Sequence, residues 1–287
     1  MYTYKKNSLP KNTIEIIVDI PKDEVDKAYD EAFSLLQKDL MISGFRKGTV
    51  PKKIAEKHIK KESVYEKLIQ NLLPKIYEEI IKKENLTPLS LPKIELIKTK
   101  EKEDWQIKII IAQKPIVDLK NLKQIVNEIK ADQKKEQIWI PGNEDKKKES
   151  GEIKKQRLLN ALLDALLKNI QCDISDLFIE DELNHRLTLL LDDIKKIGLT
   201  VDSYLRSKNL TIDQLKNRYR KEIEDTYKLE FILLAIADKE NITVEKHDLE
   251  KIFNHLPPEK RKKAEENSYF YASVLRKQKT LDFLLNL

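Results

Sequence analysis

Phe45, Arg46 and Lys47 stand between Gly44 and Gly48, and Pro51 closes the run three residues later. These residue types support binding rather than bond-making chemistry. Arg and Lys can engage phosphates or carboxylates, and Arg can do so bidentately. An aromatic ring at a loop tip gains little from folding, yet it can anchor a partner that mixes protein and RNA. The glycines permit a tight path between two helices. From the residues alone two readings stay open, since Phe45 could also fold back onto its own helices. From Gly44 to Lys61 there are seven Lys/Arg (Arg46, Lys47, Lys52, Lys53, Lys57, Lys60 and Lys61) against Glu56. This local excess of +6 equals that of the whole chain and points to an anionic partner, or else to a solvated Lys-rich helix face.

Other constellations carry little. His58, His185, His247 and His255 are dispersed, with no HExxH or CxxC, so no metal is expected. Cys172 is the single cysteine; it excludes an intrachain disulfide and reads as a packed thiol at a helix end. Asp192-Asp193 lies on a Leu-rich helix and reads as a solvated face, not an acid/base pair. With five glycines there is no phosphate-cradling loop. No catalytic residue, cofactor or ATP use is expected.

The elements that position the loop follow from periodicity. Thr13–Ile20 alternates as a strand, with Ile14, Ile16 and Val18 on one face. Pro21 opens a helix carrying Val25, Ala28, Tyr29, Ala32, Leu35 and Leu36, expected to end near Ser43-Gly44 with Gly as its cap. Pro51 starts a short helix, and a longer one runs from about Glu62 to Lys83 with apolar residues every fourth position. Strands are expected at Lys93–Ile97 and Trp105–Ala112. The result is an α+β domain of order β-α-α-α-β-β over residues 1–119. Residues 120–155 are charge-rich and read as a linker or short arm whose apolar knot is Ile138-Trp139-Ile140. Residues 156–287 read as an all-α, elongated domain. There, Thr211 and Gln214 have the form of a capping box opening a long helix. In the terminal helix Phe270, Tyr271, Val274, Leu275, Leu281, Leu284 and Leu285 fill one packing arc. Tyr269, Phe283 and Leu287 form a separate stripe, read either as a client-touching surface or as a packed or frayed edge. No apolar run of about 18 residues suggests a membrane span, and the first residues lack a signal-peptide pattern. A soluble cytoplasmic protein is expected.

Gly44-Phe45-Arg46-Lys47-Gly48-Thr49-Val50-Pro51 resembles the ribosome-binding signature of the bacterial trigger factors, and Lys114–Leu119 (Lys-Pro-Ile-Val-Asp-Leu) is similar to that family's amino-terminal domain. Residues from Gln156 onward, including Ile179–Leu183, Gly198–Leu205 and Ala235–Val244, are similar in order to its carboxy-terminal domain. The resemblance implies an amino-terminal domain that docks on the large ribosomal subunit, touching protein and RNA at the tunnel exit through Phe45, Arg46 and Lys47. Gly44, Gly48 and Pro51 would shape the loop, and Lys52, Lys53 and Lys57 would add basic contacts. It further implies a helical cradle that shelters unfolded nascent chains; whether the free molecule forms a homodimer is left open by the sequence. Family members usually carry an FKBP-like prolyl isomerase domain between the two parts. Only about 37 residues stand there, fewer than a domain needs. A holdase without isomerase activity is therefore expected. A prolyl isomerase, or an RNA-binding or ribosome-assembly factor, is the alternative.

Overall fold

The computed structural model describes residues 2–136, 151–254 and 256–287. Two units are distinguished by their internal contacts. The first runs to Lys114 and takes in Ser175–Phe178; the second comprises Pro115–Ile174 and Ile179–Leu287.

The first unit holds strands β1 (Thr3–Leu9) and β2 (Thr13–Ile20) and helices α1 (Lys22–Asp39), α2 (Lys52–His58) and α3 (Lys61–Glu84). Strands β3 (Lys93–Lys98) and β4 (Trp105–Ala112) complete it. The four strands form one antiparallel sheet in the order β1-β2-β4-β3. Alternation explains the two central strands. Ile14, Ile16, Val18 and Ile20 of β2 are buried, and in register they oppose Ile111, Ile109, Ile107 and Trp105 of β4. The same core takes Val25, Ala32 and Phe33 from α1 and Val64, Leu68, Leu73, Ile76 and Ile80 from α3.

Three sequence readings change in this unit. β1 adds a strand to the expected order, pairing with β2 from Thr3 opposite Asp19 to Leu9 opposite Thr13. It is an edge strand, mostly exposed, so it lacks the alternation that marks a half-buried strand. Its turn uses left-handed backbone at Lys11 and Asn12 without any glycine. Helix α1 stops at Asp39 rather than at Ser43-Gly44, because Leu40 is already extended. On its packing face Phe33 is buried while Leu35 is exposed.

The second unit is helical. Its elements are α4 (Leu122–Glu136), α5 (Gly151–Asn169), α6 (Asp176–Lys196, whose first turn belongs to the first unit) and α7 (Val201–Lys208). They continue with α8 (Ile212–Lys239), α9 (Lys246–Asn254), α10 (Pro258–Glu266) and α11 (Ser268–Asn286). Helices α5, α8 and α11 pack on one another, and α4 packs on α5. Leu162 and Leu166 of α5, Ile232 and Ile236 of α8 and Leu284 of α11 are fully buried. The stretch read as a linker thus contains α4, whose Leu122, Ile125 and Val126 are buried. Ile138-Trp139-Ile140 and the charged run at 144–149 lie outside the described residues. Helix α8 opens on the expected capping box: Gln214 N donates to Thr211 Oγ1 at 3.2 Å, and Thr211 N donates to Gln214 Oε1 at 2.9 Å. Within the Gly198–Leu205 stretch the chain starts α7, capped by Thr200.

Candidate docking loop

The loop between α1 and α2 is built from two successive turns. Phe45 N donates to the carbonyl of Ile42 at 3.1 Å, and Gly44, at φ +92°, supplies the left-handed step that this turn requires. Thr49 then closes the second turn twice on one acceptor. Its backbone N donates to the Arg46 carbonyl at 3.0 Å and its hydroxyl to the same oxygen at 2.7 Å. Gly48 takes φ +83° there. Val50 is buried, and its carbonyl accepts from Gln37 Nε2 at 2.7 Å. Pro51 caps α2 with its carbonyl, which accepts from Ile54 N and Ala55 N.

The loop is therefore fastened at its base and open at its tip. Phe45 is 40% exposed, and Met41 beside it is exposed as well. Arg46, Lys47, Lys52, Lys53 and Lys57 are all exposed. Lys47 pairs with Asp39 at 2.9 Å, and Lys52 pairs with Asp30 at 3.3 Å while lying over the Phe33 ring. The Lys47 contact holds the Asp39 carboxyl below the usual range. Arg46, Lys53 and Lys57 make no ion pair among the described residues. All nine loop and auxiliary residues singled out in the sequence lie on one helix–loop–helix segment, which presents five exposed cations and the exposed Phe45 ring. Such a tip can bind an anionic surface that also offers apolar contact.

The model of the bacterial trigger factor protein matches residues 2–138, and that of the trigger factor carboxy terminus matches residues 143–285. The chain belongs to the bacterial trigger factor family. The trigger factor of Streptococcus agalactiae is 33% identical over 112 residues, covering 39% of this chain and 26% of that protein. The trigger factor of Moorella thermoacetica is 35% identical over 111 residues, covering 39% and 25%. The aligned part thus spans about a quarter of the length of these relatives. A solved chain, from work on promiscuous substrate recognition in the folding and assembly activities of the trigger factor chaperone, superposes with a TM-score of 0.65. It covers 99% of both chains at 15% identity, which speaks for the trigger factor fold.

The second unit carries apolar surface. Of the three terminal-helix residues singled out in the sequence, Tyr269 is 89% exposed, whereas Phe283 and Leu287 are half-buried. Phe270 and Val274, expected in the packing arc of α11, are exposed instead, Phe270 at 64%. The reason is that α11 packs through its later turns, where Thr280 and Leu284 are buried. Near its start Tyr271 is braced edge-on by Phe253 at 5.4 Å. The sequence reading missed a second apolar group. Leu189 and Leu191 of α6, Ile197 and Leu199 after it and Ile212 at the start of α8 are exposed. The signal for it was present in Leu189-Leu190-Leu191, since three consecutive leucines cannot share one face of a helix. Cys172 is buried, and burial pushes its thiol up to about 11, so it is not poised as a nucleophile. Among the described residues no group of three or more His, Cys, Asp or Glu could hold a metal ion.

Proposed function

We propose that this chain is an ATP-independent chaperone that docks at the polypeptide tunnel exit of the large ribosomal subunit and shields nascent chains. The observation that carries the reading is the Gly44–Pro51 loop, a fastened base with Phe45, Arg46 and Lys47 presented at the tip. A fixed loop keeps the ordering cost of docking small, because little freedom is left to lose. Phe45 would supply apolar contact, Arg46 and Lys47 the ion pairs with RNA phosphate, and Lys52, Lys53 and Lys57 the surrounding positive field. Exposed Tyr269, Phe270 and Val274 in the helical unit support the client-shielding half. Apolar groups dispersed among charges bind many unfolded segments weakly rather than one tightly.

The same reading assigns no prolyl isomerase activity. The two family matches end at residue 138 and resume at residue 143, leaving four residues between them. That is far below the ~50 residues of a small domain. A cytoplasmic location goes with the ribosomal partner, and no helix among the described residues is long and apolar enough to cross a membrane.

Co-sedimentation with large ribosomal subunits tests the docking half. The triple change Phe45→Ala, Arg46→Ala, Lys47→Ala is expected to lose at least tenfold in affinity while the thermal transition stays in place. Undiminished binding would count decisively against it. Suppression of aggregation of a chemically unfolded protein, without nucleotide, tests the shielding half.

A further inference from the structure

Asp39 and Lys47 form an ion pair between the end of α1 and the tip of the loop that follows it. This contact does not hold the loop. The turns close through Thr49 on the Arg46 carbonyl, and the base is fastened by Gln37 on Val50. The ion pair lies outside that frame, with the Asp39 side chain 78% exposed and that of Lys47 54% exposed. Its effect is electrostatic. It turns one of the tip cations back toward α1 and sets a carboxylate beside a surface that must meet an anionic partner. Lys67 is the other cation acting on Asp39, and more weakly, so the carboxylate's attention is fixed on Lys47.

Resting on the docking reading above, we infer that Asp39 is a built-in competitor for Lys47, a carboxylate that weakens docking and sets its salt dependence. When a phosphate takes Lys47, the Asp39 pair must open or the two anions must share one ammonium. Both routes lower affinity. The arrangement suits a factor that has to leave the ribosome and return, because an exposed ion pair is cheap to open and re-forms on release. Arg46, without a carboxylate partner among the described residues, makes the first contact; Lys47 is the adjustable one.

The test is a titration of large ribosomal subunits with the full chain over a series of KCl concentrations. Asp39→Asn is expected to bind about two- to fivefold tighter at low salt, the range expected from opening a surface pair. Its affinity should also fall more steeply with salt, because the Lys47 charge is no longer partly neutralised by Asp39. Placed on a Lys47→Ala background, the same change should lose most of that gain. Equal or weaker binding by Asp39→Asn, or a full gain without Lys47, overturns the inference. The triple change at Phe45, Arg46 and Lys47 runs alongside. If that variant binds like the wild type, the docking reading itself has failed, and not merely the role of Asp39.

Discussion

The Gln37 side-chain amide donates to the Val50 carbonyl at 2.7 Å, bridging the last helical turn before the loop and the residue just before the Pro51 cap of α2. Val50 is buried, so its carbonyl has little water to turn to. This bond is the clamp that keeps an exposed aromatic–basic tip in one shape.

Gln37→Ala therefore removes more than a surface contact. A part-buried acceptor loses its donor, at a cost of about 1 kcal/mol or somewhat more. We expect the unfolding free energy from urea titration to fall by that amount and amide exchange over 45–50 to become faster. Ribosome affinity should fall severalfold although no residue at the tip has changed. Unaltered exchange in the loop would show that the clamp is dispensable.

Gly44 and Gly48 lie at φ +92° and +83°, yet a Cβ meets nothing within 4 Å at Gly44 and only the Lys38 carbonyl at 3.7 Å at Gly48. Space is not the obstacle at either position; backbone strain of about 1 kcal/mol per residue is. An exposed loop relieves such strain by changing shape. The double change Gly44→Ala, Gly48→Ala should thus leave the melting temperature nearly unchanged while weakening ribosome binding. A melting temperature lowered by many degrees with binding intact would reverse this assignment.

How much of the molecule could be read beforehand depends on what each residue's neighbours decide. Thr211 and Gln214 satisfy each other's backbone within one turn, so their capping box was visible in four letters. Ile14, Ile16 and Val18 alternate because one face of β2 is buried, and that pattern is local too. Thr3–Leu9 carries no such imprint, since an exposed edge strand is defined by its pairing partner and not by burial. By its residue type Gly44 reads as a helix cap, but Leu40 leaves helical geometry first and the glycine serves a later turn. Phe270 and Val274 share a face with Leu281 and Leu284, and only the placement of neighbouring helices decides that the first pair stays in water. For the loop, residue types announced binding. The clamp by Gln37 and the pairing of Lys47 with Asp39 depend on three-dimensional closure and left no pattern to read.

Exposure separates Tyr269 from Phe283, which share a stripe on the helical wheel, and brings Phe270 out of the packing arc. Tyr269 and Phe270 are open to solvent, so changing both to Ser removes apolar surface without opening a cavity. Surface changes of this kind move stability by about 0.5 kcal/mol or less each. Phe283 is half-buried, and Phe283→Ser should cost about 1–3 kcal/mol from lost packing. We expect Tyr269→Ser with Phe270→Ser to weaken suppression of client aggregation at an unchanged melting temperature. Phe283→Ser should lower both. Full suppression by the double variant would remove the start of α11 from the client surface.

Cys172 gives a pH signature that can be checked without a client or a ribosome. Burial pushes its thiol from 9.0 to about 11. Between those values the unfolded chain has released a proton that the folded chain keeps, so stability falls as pH rises. The contribution is whole below about pH 9 and is lost as pH rises through about 11. Tyr2 and Tyr227, both pushed up to about 12, act in the same sense at still higher pH. Cys172→Ala should leave a shallower decline in the urea midpoint between about pH 9 and 10, at the cost of about 1 kcal/mol at neutral pH from the vacated volume. In the native wild-type chain the thiol should resist an aromatic disulfide reagent at about pH 8 and react within seconds once urea unfolds it. Rapid labelling of the native protein would mean that the thiol is reachable, and the alkaline decline would then need another group.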